Sequence, residues 1–312
     1  MEIFDYQAAV RAVRRDLPNN EFSLSVPIQG CQRLCDWGLS VDELASHMSC
    51  LIDDIGVTSF DHADVFGDYE AEAFFGEALK RTSFNRHHLE LIGKCGLRKV
   101  SARHPDHRLD HFDTRKEYII DSVTGSLSRL GTDYLDLLLI HYPDPLMRAE
   151  EVAEAFDFLY RKGLVRAFGV SNFNPRKWRS LAAVSPRPLV CNQIECSLLH
   201  IHPLLDGTYD ELLGDGMLPL LWSPLGGGHL VDGQNSRSTE ILSLLAQIGD
   251  QIDLTPAGVA LAWLSALPGK PLLLLGTGNC QHLVQAVCSM KQKLERQDWY
   301  ALWDAAIRRQ VL

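Results

Sequence analysis

Eight short and strongly apolar runs recur along this chain, separated by stretches in which apolar residues stand three and four positions apart. Runs of the first kind are typical of buried β-strands, and the second spacing is typical of amphipathic α-helices. The predicted strands are LSVPIQG from Leu24, VTSFD from Val57, LELIGK from Leu89, LDLLLIH from Leu135, VRAFGVS from Val165, LVCNQIE from Leu189, MLPLLWS from Met217 and PLLLLG from Pro271. Strands that are apolar along nearly their whole length and alternate with helices indicate a parallel sheet covered on both faces.

Eight strand and helix units favour a closed (β/α)₈ barrel, an α/β TIM barrel in a single domain, over an open doubly wound sheet. No GxGxxG follows the first predicted strand, and this argues against a Rossmann domain. Within the 312 residues we expect an N-terminal extension over 1–23 and the barrel over 24–312.

Composition narrows the class of protein. The chain is 46% hydrophobic, enough for a large core, yet no apolar run approaches the roughly 20 residues of a membrane-spanning helix. Glu2 and Asp5 stand where a secretory signal would be basic and then apolar, so we expect a cytoplasmic protein. A net charge of −10 argues against general nucleic-acid binding. The eight cysteines lack zinc-knuckle or CxxC spacing, so we interpret them as reduced thiols.

Three polar residues each end a predicted strand in the first half of the chain: Asp61, Lys94 and His141. The carboxyl ends of barrel strands meet on one face, where barrel enzymes build their sites. Taken singly, a lysine here is usually a solvated charge, and an aspartate often caps the next helix. An acid, an amine and an imidazole at three consecutive sites of this kind together predict a catalytic site.

Several motifs, in order along the chain, then carry a family resemblance over roughly 24–287. They are FDHADVFGDYEAEAFFGEALK with Asp61, LIGKCG with Lys94, LLLIHYPDPL with His141, FGVSNF with Ser171 and Asn172, NQIECSLLH with Gln193, and WSPLGGG from Trp222. In order and spacing they resemble the aldo-keto reductases. The FDHAD wording, the long loop after Lys94 and the GGGHL ending most resemble the YdhF-type bacterial oxidoreductases of that family.

The resemblance implies hydride transfer from a reduced nicotinamide to a carbonyl. In the family a tyrosine gives the proton, a lysine makes it more acidic, an aspartate holds the lysine and a histidine orients the carbonyl. Lys94, Asp61 and His141 match the last three roles, but Phe66 stands at the tyrosine position and has no proton to give. Loss of a general acid typically costs about 10²–10⁴-fold in rate.

Three interpretations of Phe66 stay open. His141 could donate the proton, alone or through a water, or Lys94 could reach the carbonyl directly. Alternatively, the protein retains a nicotinamide site without much catalysis and acts by binding or sensing. The three remaining polar residues favour an enzyme that reduces a small aldehyde, ketone or sugar-derived carbonyl.

The resemblance also implies a cofactor, NADP, with NAD as the alternative. Ser171, Asn172 and Gln193 would hold the nicotinamide carboxamide, and Cys196 occupies the position of an aromatic residue that stacks on the ring in many relatives. Gly278 and His282 stand where relatives carry arginines, and no Lys or Arg occurs over 271–290. The other predicted cofactor-binding residues are Ser223, Pro224, Leu225, Gly226, Gly276, Thr277 and Gln285.

Aromatic residues and long loops complete the predicted site. Trp37 and Tyr142, with Trp222, suggest an aromatic-walled pocket for an apolar or ring-shaped substrate. The insertions over 99–118 and 229–240 are candidate lids or plain surface loops. We predict surface or packing roles rather than metal binding for His62, His104, His107 and His111. As partners we expect a small-molecule carbonyl, no nucleic acid and no membrane, with the chain a monomer or weak oligomer.

Overall fold

The computed structural model describes residues 11–18, 22–233 and 236–307, and its centre is a closed barrel of eight parallel strands. The strands in chain order are β1 (Val13–Asp16), β2 (Ser23–Val26), β3 (Ile28–Gly30), β4 (Ser59–Asp61), β5 (Glu90–Cys95), β6 (Leu97–Arg98), β7 (His111–Phe112), β8 (Leu135–Ile140), β9 (Val165–Ser171), β10 (Leu189–Glu195), β11 (Leu218–Trp222) and β12 (Leu272–Leu275). The barrel runs β3, β4, β5, β8, β9, β10, β11 and β12, and β12 pairs with β3 to close it. The predicted (β/α)₈ TIM barrel is confirmed.

The α-helices are α1 (Val41–Ser49), α2 (Ala71–Leu79), α3 (Lys116–Leu130), α4 (Ala149–Arg161), α5 (Pro175–Ala182), α6 (His202–Leu205), α7 (Thr208–Gly214), α8 (His229–Asp232), α9 (Ser236–Ile252), α10 (Pro256–Ser265), α11 (Cys280–Ser289) and α12 (Arg296–Ile307). Side chains that accept backbone hydrogen bonds fix several of their starts, as Ser40 does for α1 and Asn174 for α5. Among the described residues, no helix is both long and apolar enough to cross a membrane.

The first predicted strand is two strands. Pro27 has no amide hydrogen to give to a ladder, so the run from Leu24 divides there. The first part, β2, pairs antiparallel with β1, and the second part, β3, enters the barrel. This hairpin covers the amino-terminal end of the barrel. Leu17 and Leu24 pack with barrel residues such as Ile92, and Arg14 forms an ion pair with Glu90, the first residue of β5.

The helix predicted over 41–56 changes type partway. After α1, a π-helical turn runs over Cys50–Ile55 and ends at Gly56, whose φ of 78° suits glycine. The π turn packs against α11, which follows the last barrel strand, because β3 and β12 are neighbours in the closed barrel. Residues from the two ends of the sequence thus meet here.

The two insertions lie on the carboxyl side of their strands, as predicted. The first, over 99–118, includes β7 and the start of α3, and its Lys99 exchanges backbone hydrogen bonds with the hydroxyl of Tyr69. Arg103 forms an ion pair with Glu70, and the ring of His104 lies 4.3 Å from that of Tyr69. This loop is therefore fastened to the segment that directly follows Phe66. The second insertion includes α8 and the start of α9, and residues 234–235 lie outside the described residues.

Candidate active site

A buried ion pair stands at the carboxyl ends of two neighbouring barrel strands. Asp61 is the last residue of β4, and Lys94 lies near the end of β5. The ammonium nitrogen of Lys94 is 2.6 Å from each carboxylate oxygen of Asp61, and the two side chains are 1% and 5% exposed. A lysine has three ammonium hydrogens, so this arrangement leaves one for another acceptor.

Gln193 joins this pair from the far side of the barrel. Its amide nitrogen donates to Oδ1 of Asp61 at 2.8 Å. The sequence analysis assigns this amide to the nicotinamide and does not predict the contact with Asp61. Asp61 is therefore satisfied by an ammonium and an amide at once, as a buried carboxylate requires.

Phe66 and His141 cover the ammonium. The ring centroid of Phe66 lies 4.9 Å from Nζ of Lys94, within the range of a cation–π interaction. The rings of Phe66 and His141 meet edge to face with centroids 5.8 Å apart, and both residues are 8% exposed. The structure thus brings together all four residues that the sequence analysis places at the catalytic centre.

His141 is neutral in this environment. Burial, and then the positive charge of Lys94, lower the pKa of His141 well below its usual value. Its Nδ1 is buried and has no hydrogen-bond partner among the described residues. A neutral imidazole can orient a ligand through a hydrogen bond, but it is a poor acid compared with imidazolium.

A hydrogen-bonded network joins the next strand ends. Asn172 has a left-handed φ of 62°, and its amide nitrogen donates to the backbone oxygen of His141 and to Oγ of Ser171. Its side-chain oxygen accepts from Nε1 of Trp222 at 3.1 Å, and Ser171 donates to the backbone oxygen of Gln193. The three residues predicted to hold a carboxamide therefore share one network across β8, β9, β10 and β11.

Glycines after β11 adopt conformations that other residues avoid. Gly226, Gly227 and Gly228 have successive φ values of 60°, 69° and 105°, and Ser223 before them has a φ of 50°. A Cβ on Gly226 would lie 2.7 Å from the side chain of Leu199. Glycine adopts these φ values without strain, and its lack of a side chain leaves the main chain of residues 226–228 open to a ligand.

The segment after β12 receives side chains from the first barrel strand and its loop. Gln29 donates to the backbone oxygens of Leu275 and Thr277, and Nε1 of Trp37 is 3.3 Å from the backbone oxygen of Gly276. A guanidinium nitrogen of Arg33 lies 3.9 Å from the place that a Cβ on Gly276 would occupy. The sequence analysis finds no cation near this segment along the chain, and barrel closure supplies Arg33 in space.

Comparison with known proteins identifies the family. Residues 34–307 match the sequence profile of the Aldo/keto reductase family. The oxidoreductase YdhF of Escherichia coli is 40% identical over 281 residues, covering 90% of this chain and 93% of the relative. The chain belongs to the aldo/keto reductase family.

Other relatives agree with this membership. A 6-dehydroglucose reductase of Agrobacterium fabrum is 37% identical over 94% of this chain and 98% of its own length. The thermostable aldo-keto reductase Tm1743, solved with the inhibitor epalrestat, is 25% identical, with a TM-score of 0.78 over 94% of this chain and 99% of its own. The glycerol dehydrogenase of Gluconobacter oxydans, at 21% identity, shares the fold with a TM-score of 0.82 over 95% of both chains.

Within this aldo/keto reductase, the predicted pocket aromatics have different neighbours. Tyr142 stacks on His141 with ring centroids 4.9 Å apart, beside the predicted catalytic centre. Trp37 lies against Gly278, where a Cβ would come within 2.8 Å of the indole. A substrate pocket lined by both residues stays a prediction. His282 and Gln285 are exposed on α11, and Nδ1 of His282 is 3.1 Å from Oγ1 of Thr277.

Two histidines of the first insertion lie closer together than the sequence suggests. Ligand atoms of His104, Asp106 and His107 lie within 4.8 Å of one another, and the surface or packing role of these histidines stays a prediction. Arg98 forms a hydrogen bond with Nε2 of His107, so a guanidinium already engages that nitrogen. His62 is buried against Phe75, and its pKa is lowered to about 3, mainly by burial.

Asp64, which the sequence analysis does not single out, is a buried carboxyl beneath the same loop. Its Oδ2 accepts hydrogen bonds from Tyr118 at 3.0 Å and Ser122 at 2.7 Å, while Oδ1 has no partner among the described residues. Burial, opposed by Ser122 and assisted by the carboxylate of Glu72, raises the pKa of Asp64 to about 7. It borders a cavity of about 290 Å³ between Tyr118 and the loop.

We expect Asp61→Ala to destabilise the fold by roughly 3–5 kcal/mol, because it leaves the Lys94 ammonium buried without its counter-charge. The double change Asp61→Ala with Lys94→Met should recover much of that loss. Urea unfolding measures both changes. Glu77→Ala, which breaks an exposed pair with Lys80, is the matched control and should change little. An Asp61→Ala protein as stable as the wild type would show that the pair does not carry this energy.

Because the pKa of Asp64 is raised in the folded protein, we predict that this residue makes the free energy of unfolding depend on pH. The unfolded carboxyl ionises near pH 4 and the folded one near pH 7, so stability is lost as the pH rises through this window. Relative to Asp64→Asn, the free energy of unfolding of the wild type should fall by about 4 kcal/mol between pH 4 and pH 8. Urea unfolding at several pH values tests this, with Asp133→Asn on the surface as control. A constant difference between wild type and Asp64→Asn would contradict it.

Proposed function

We propose that this aldo/keto reductase reduces a small aldehyde or ketone with NADPH, or alternatively NADH, and that Lys94 supplies the proton. The observation that carries the proposal is the buried Lys94–Asp61 pair, which faces Phe66 and His141 at the strand ends. Such a preformed charge, in a site that excludes water, is suited to stabilise negative charge on a carbonyl oxygen.

The residues present fit a dinucleotide. Gly226, Gly227 and Gly228 present main chain without side chains, with open space beside Gly227, and the guanidinium of Arg33 stands beside Gly276. Ser171, Asn172 and Gln193 would hold the nicotinamide end, and Thr277 with His282 the adenosine phosphate end. When bound, the reduced nicotinamide supplies the hydride.

The proton then has to come from this chain. An unperturbed ammonium and an unperturbed phenol have similar acidities, with pKa values of about 10.4 and about 10, so a lysine is chemically able to act as a general acid where a phenol does. Two ammonium hydrogens of Lys94 face Asp61, and the third is free to reach the carbonyl oxygen, directly or through a water. His141 is neutral, so we assign it the orienting hydrogen bond rather than the proton transfer.

A sugar-derived carbonyl belongs among the candidate substrates. Two relatives, from Agrobacterium fabrum and Novosphingobium aromaticivorans, are named 6-dehydroglucose reductases, at 37% and 30% identity over 94% of this chain. Single-turnover oxidation of bound NADPH, followed by the absorbance of the reduced nicotinamide, tests the proposal against aldehydes, dicarbonyls and oxidised sugars. Oxidation with any of them supports the reductase.

The second candidate is a nicotinamide-nucleotide-binding or sensing protein with little catalysis. The ring of Phe66 favours it, because that ring covers Lys94 and offers no proton. Nucleotide binding without oxidation by any carbonyl would establish this second function in place of the first.

We expect Phe66→Tyr to raise turnover of a generic aldehyde by about 10²-fold, because it adds a phenol beside Lys94 and His141. Lys94→Met should abolish the activity of the unmodified protein. Steady-state oxidation of NADPH measures both variants, and nucleotide titration shows whether binding is retained. Phe158→Tyr makes the same chemical change on an exposed face of α4 and serves as the control. Full activity of Lys94→Met would remove Lys94 from the proton-donor role.

The cofactor preference depends on α11. We expect weak discrimination between NADPH and NADH, because no Lys or Arg occurs over 271–290. His282→Arg should tighten NADPH binding about tenfold and leave NADH nearly unchanged, as one charge-assisted hydrogen bond would. Fluorescence titration at low salt measures both affinities, and Gln292→Arg beyond the helix controls for net charge. Strong NADPH selectivity in the unmodified protein, unaltered by the substitution, would contradict the assignment.

A further inference from the structure

Two cysteines far apart in sequence lie close together beside Gly276–Gly278, the segment proposed above to hold a phosphate of the nucleotide. Cys50 begins the π-helical turn after α1, and Cys280 is the first residue of α11. The sulfur of Cys280 lies 3.8 Å from the backbone oxygen of His47, and the amide of Cys50 donates to that same oxygen. The thiol of Cys50 lies close enough to that of Cys280 to contribute, after burial, to the raised pKa of Cys280.

Their surroundings differ from those of an inert buried thiol. Cys50 and Cys280 are each partly exposed, whereas Cys31, Cys95 and Cys191 are buried in the core. The Nδ1 of His47 is 3.3 Å from the sulfur of Cys280 and offers it a base. π-Helical turns occur frequently at functional sites, and the carbonyl reduction proposed above uses neither cysteine.

We propose that Cys50 and Cys280 form a reversible oxidation site, at which a hydroperoxide converts the two thiols into a disulfide. Two partly exposed thiols held beside the same backbone carbonyl, with an imidazole next to one of them, suit this chemistry.

The surroundings of Cys50 and Cys280 indicate which thiol attacks the peroxide first. Burial lowers the pKa of His47, so its imidazole is neutral at neutral pH and can accept a proton. Burial, the thiol of Cys50 and the carboxylate of Asp54 together raise the pKa of Cys280. Because the imidazole of His47 lies beside Cys280 and can take up the proton of that thiol, we assign the first attack to Cys50 and the second to Cys280.

The reaction balances in two steps. The Cys50 thiolate attacks one peroxide oxygen, so that an S–O bond forms, the O–O bond breaks and an alcohol leaves with the proton. Cys50 is now a sulfenic acid. Cys280 gives its proton to His47, and its sulfur attacks the sulfur of Cys50. The S–O bond breaks, and the departing hydroxide takes up that proton as water. Both sulfurs are oxidised, the peroxide is reduced, and a thiol reductant reverses the change.

A disulfide between Cys50 and Cys280 would displace the segment Gly276–Gly278. The sulfurs would have to approach to about 2.05 Å, drawing the start of α11 towards α1. Trp37 fills the space between these parts, with its ring 5.4 Å from that of His47 and its indole against Gly278. Movement of α11 is therefore transmitted to Gly276–Gly278. This effect on nucleotide affinity rests on the proposed function, whereas the disulfide does not.

The site is tested by treating the protein with hydrogen peroxide, alkylating the remaining thiols and mapping peptides without reduction. We expect a peptide pair linked through Cys50 and Cys280 that dithiothreitol separates. Cys280→Ser and Cys50→Ser should each abolish the link, and Cys288→Ser, about two turns further along α11, should not. Peroxide that oxidises other cysteines while Cys50 and Cys280 both remain alkylatable would overturn the proposal.

Titration with NADPH before and after peroxide tests the coupling. We expect oxidation to weaken binding on the order of tenfold, the effect of losing one hydrogen bond to a phosphate, and Cys280→Ser to be insensitive to it. A complete link with unchanged affinity would overturn the coupling. If the untreated protein does not bind nucleotide while the link still forms, the proposed function fails and the oxidation site stands.

Discussion

Closure of eight parallel strands is the constraint on which the rest of the structure depends. It brings every carboxyl strand end into one ring, so that Asp61, Lys94 and Gln193, from β4, β5 and β10, share a single cluster of contacts. It also makes the first and last strands neighbours. Arg33 and Trp37, which follow β3, therefore lie against Gly276–Gly278, which follow β12.

The buried ammonium of Lys94, with the ring of Phe66 over it, determines the electrostatics at the carboxyl end of the barrel. Lys94 keeps its counter-charge in Asp61, and its positive charge contributes to the lowered pKa of His141 and of His62. Burial, and then this ammonium, therefore favour the neutral form of both imidazoles. Phe66 adds a ring that shields the pair from water. Tyrosine at this position would add a polar hydrogen to a cluster whose other partners are already arranged around a cation.

The sequence alone predicts the barrel because each of the eight strands is recognisable from its own short apolar run. Its one misplaced strand, from Leu24, fails at Pro27, where loss of an amide hydrogen outweighs the apolar pattern. The residues around Lys94 are predictable because each ends a strand. Arg33, Asp64 and the Cys50–Cys280 contact are not, since each depends on how loops and helices pack. The helical period of 41–56 likewise gives no sign of the π-helical turn within it.

The hairpin of β1 and β2 gives the barrel a closed floor. Leu17, Leu24 and Val26 fill its amino-terminal end with hydrocarbon, and Arg14 ties the hairpin to Glu90. Among the described residues, this end of the barrel is therefore lined with apolar side chains. On the proposed mechanism, each proton that Lys94 gives up is replaced through the same mouth by which product leaves. Reprotonation of Lys94 and release of product would then use the same opening of the barrel. The loop that is hydrogen-bonded to Tyr69 lies at the edge of this opening.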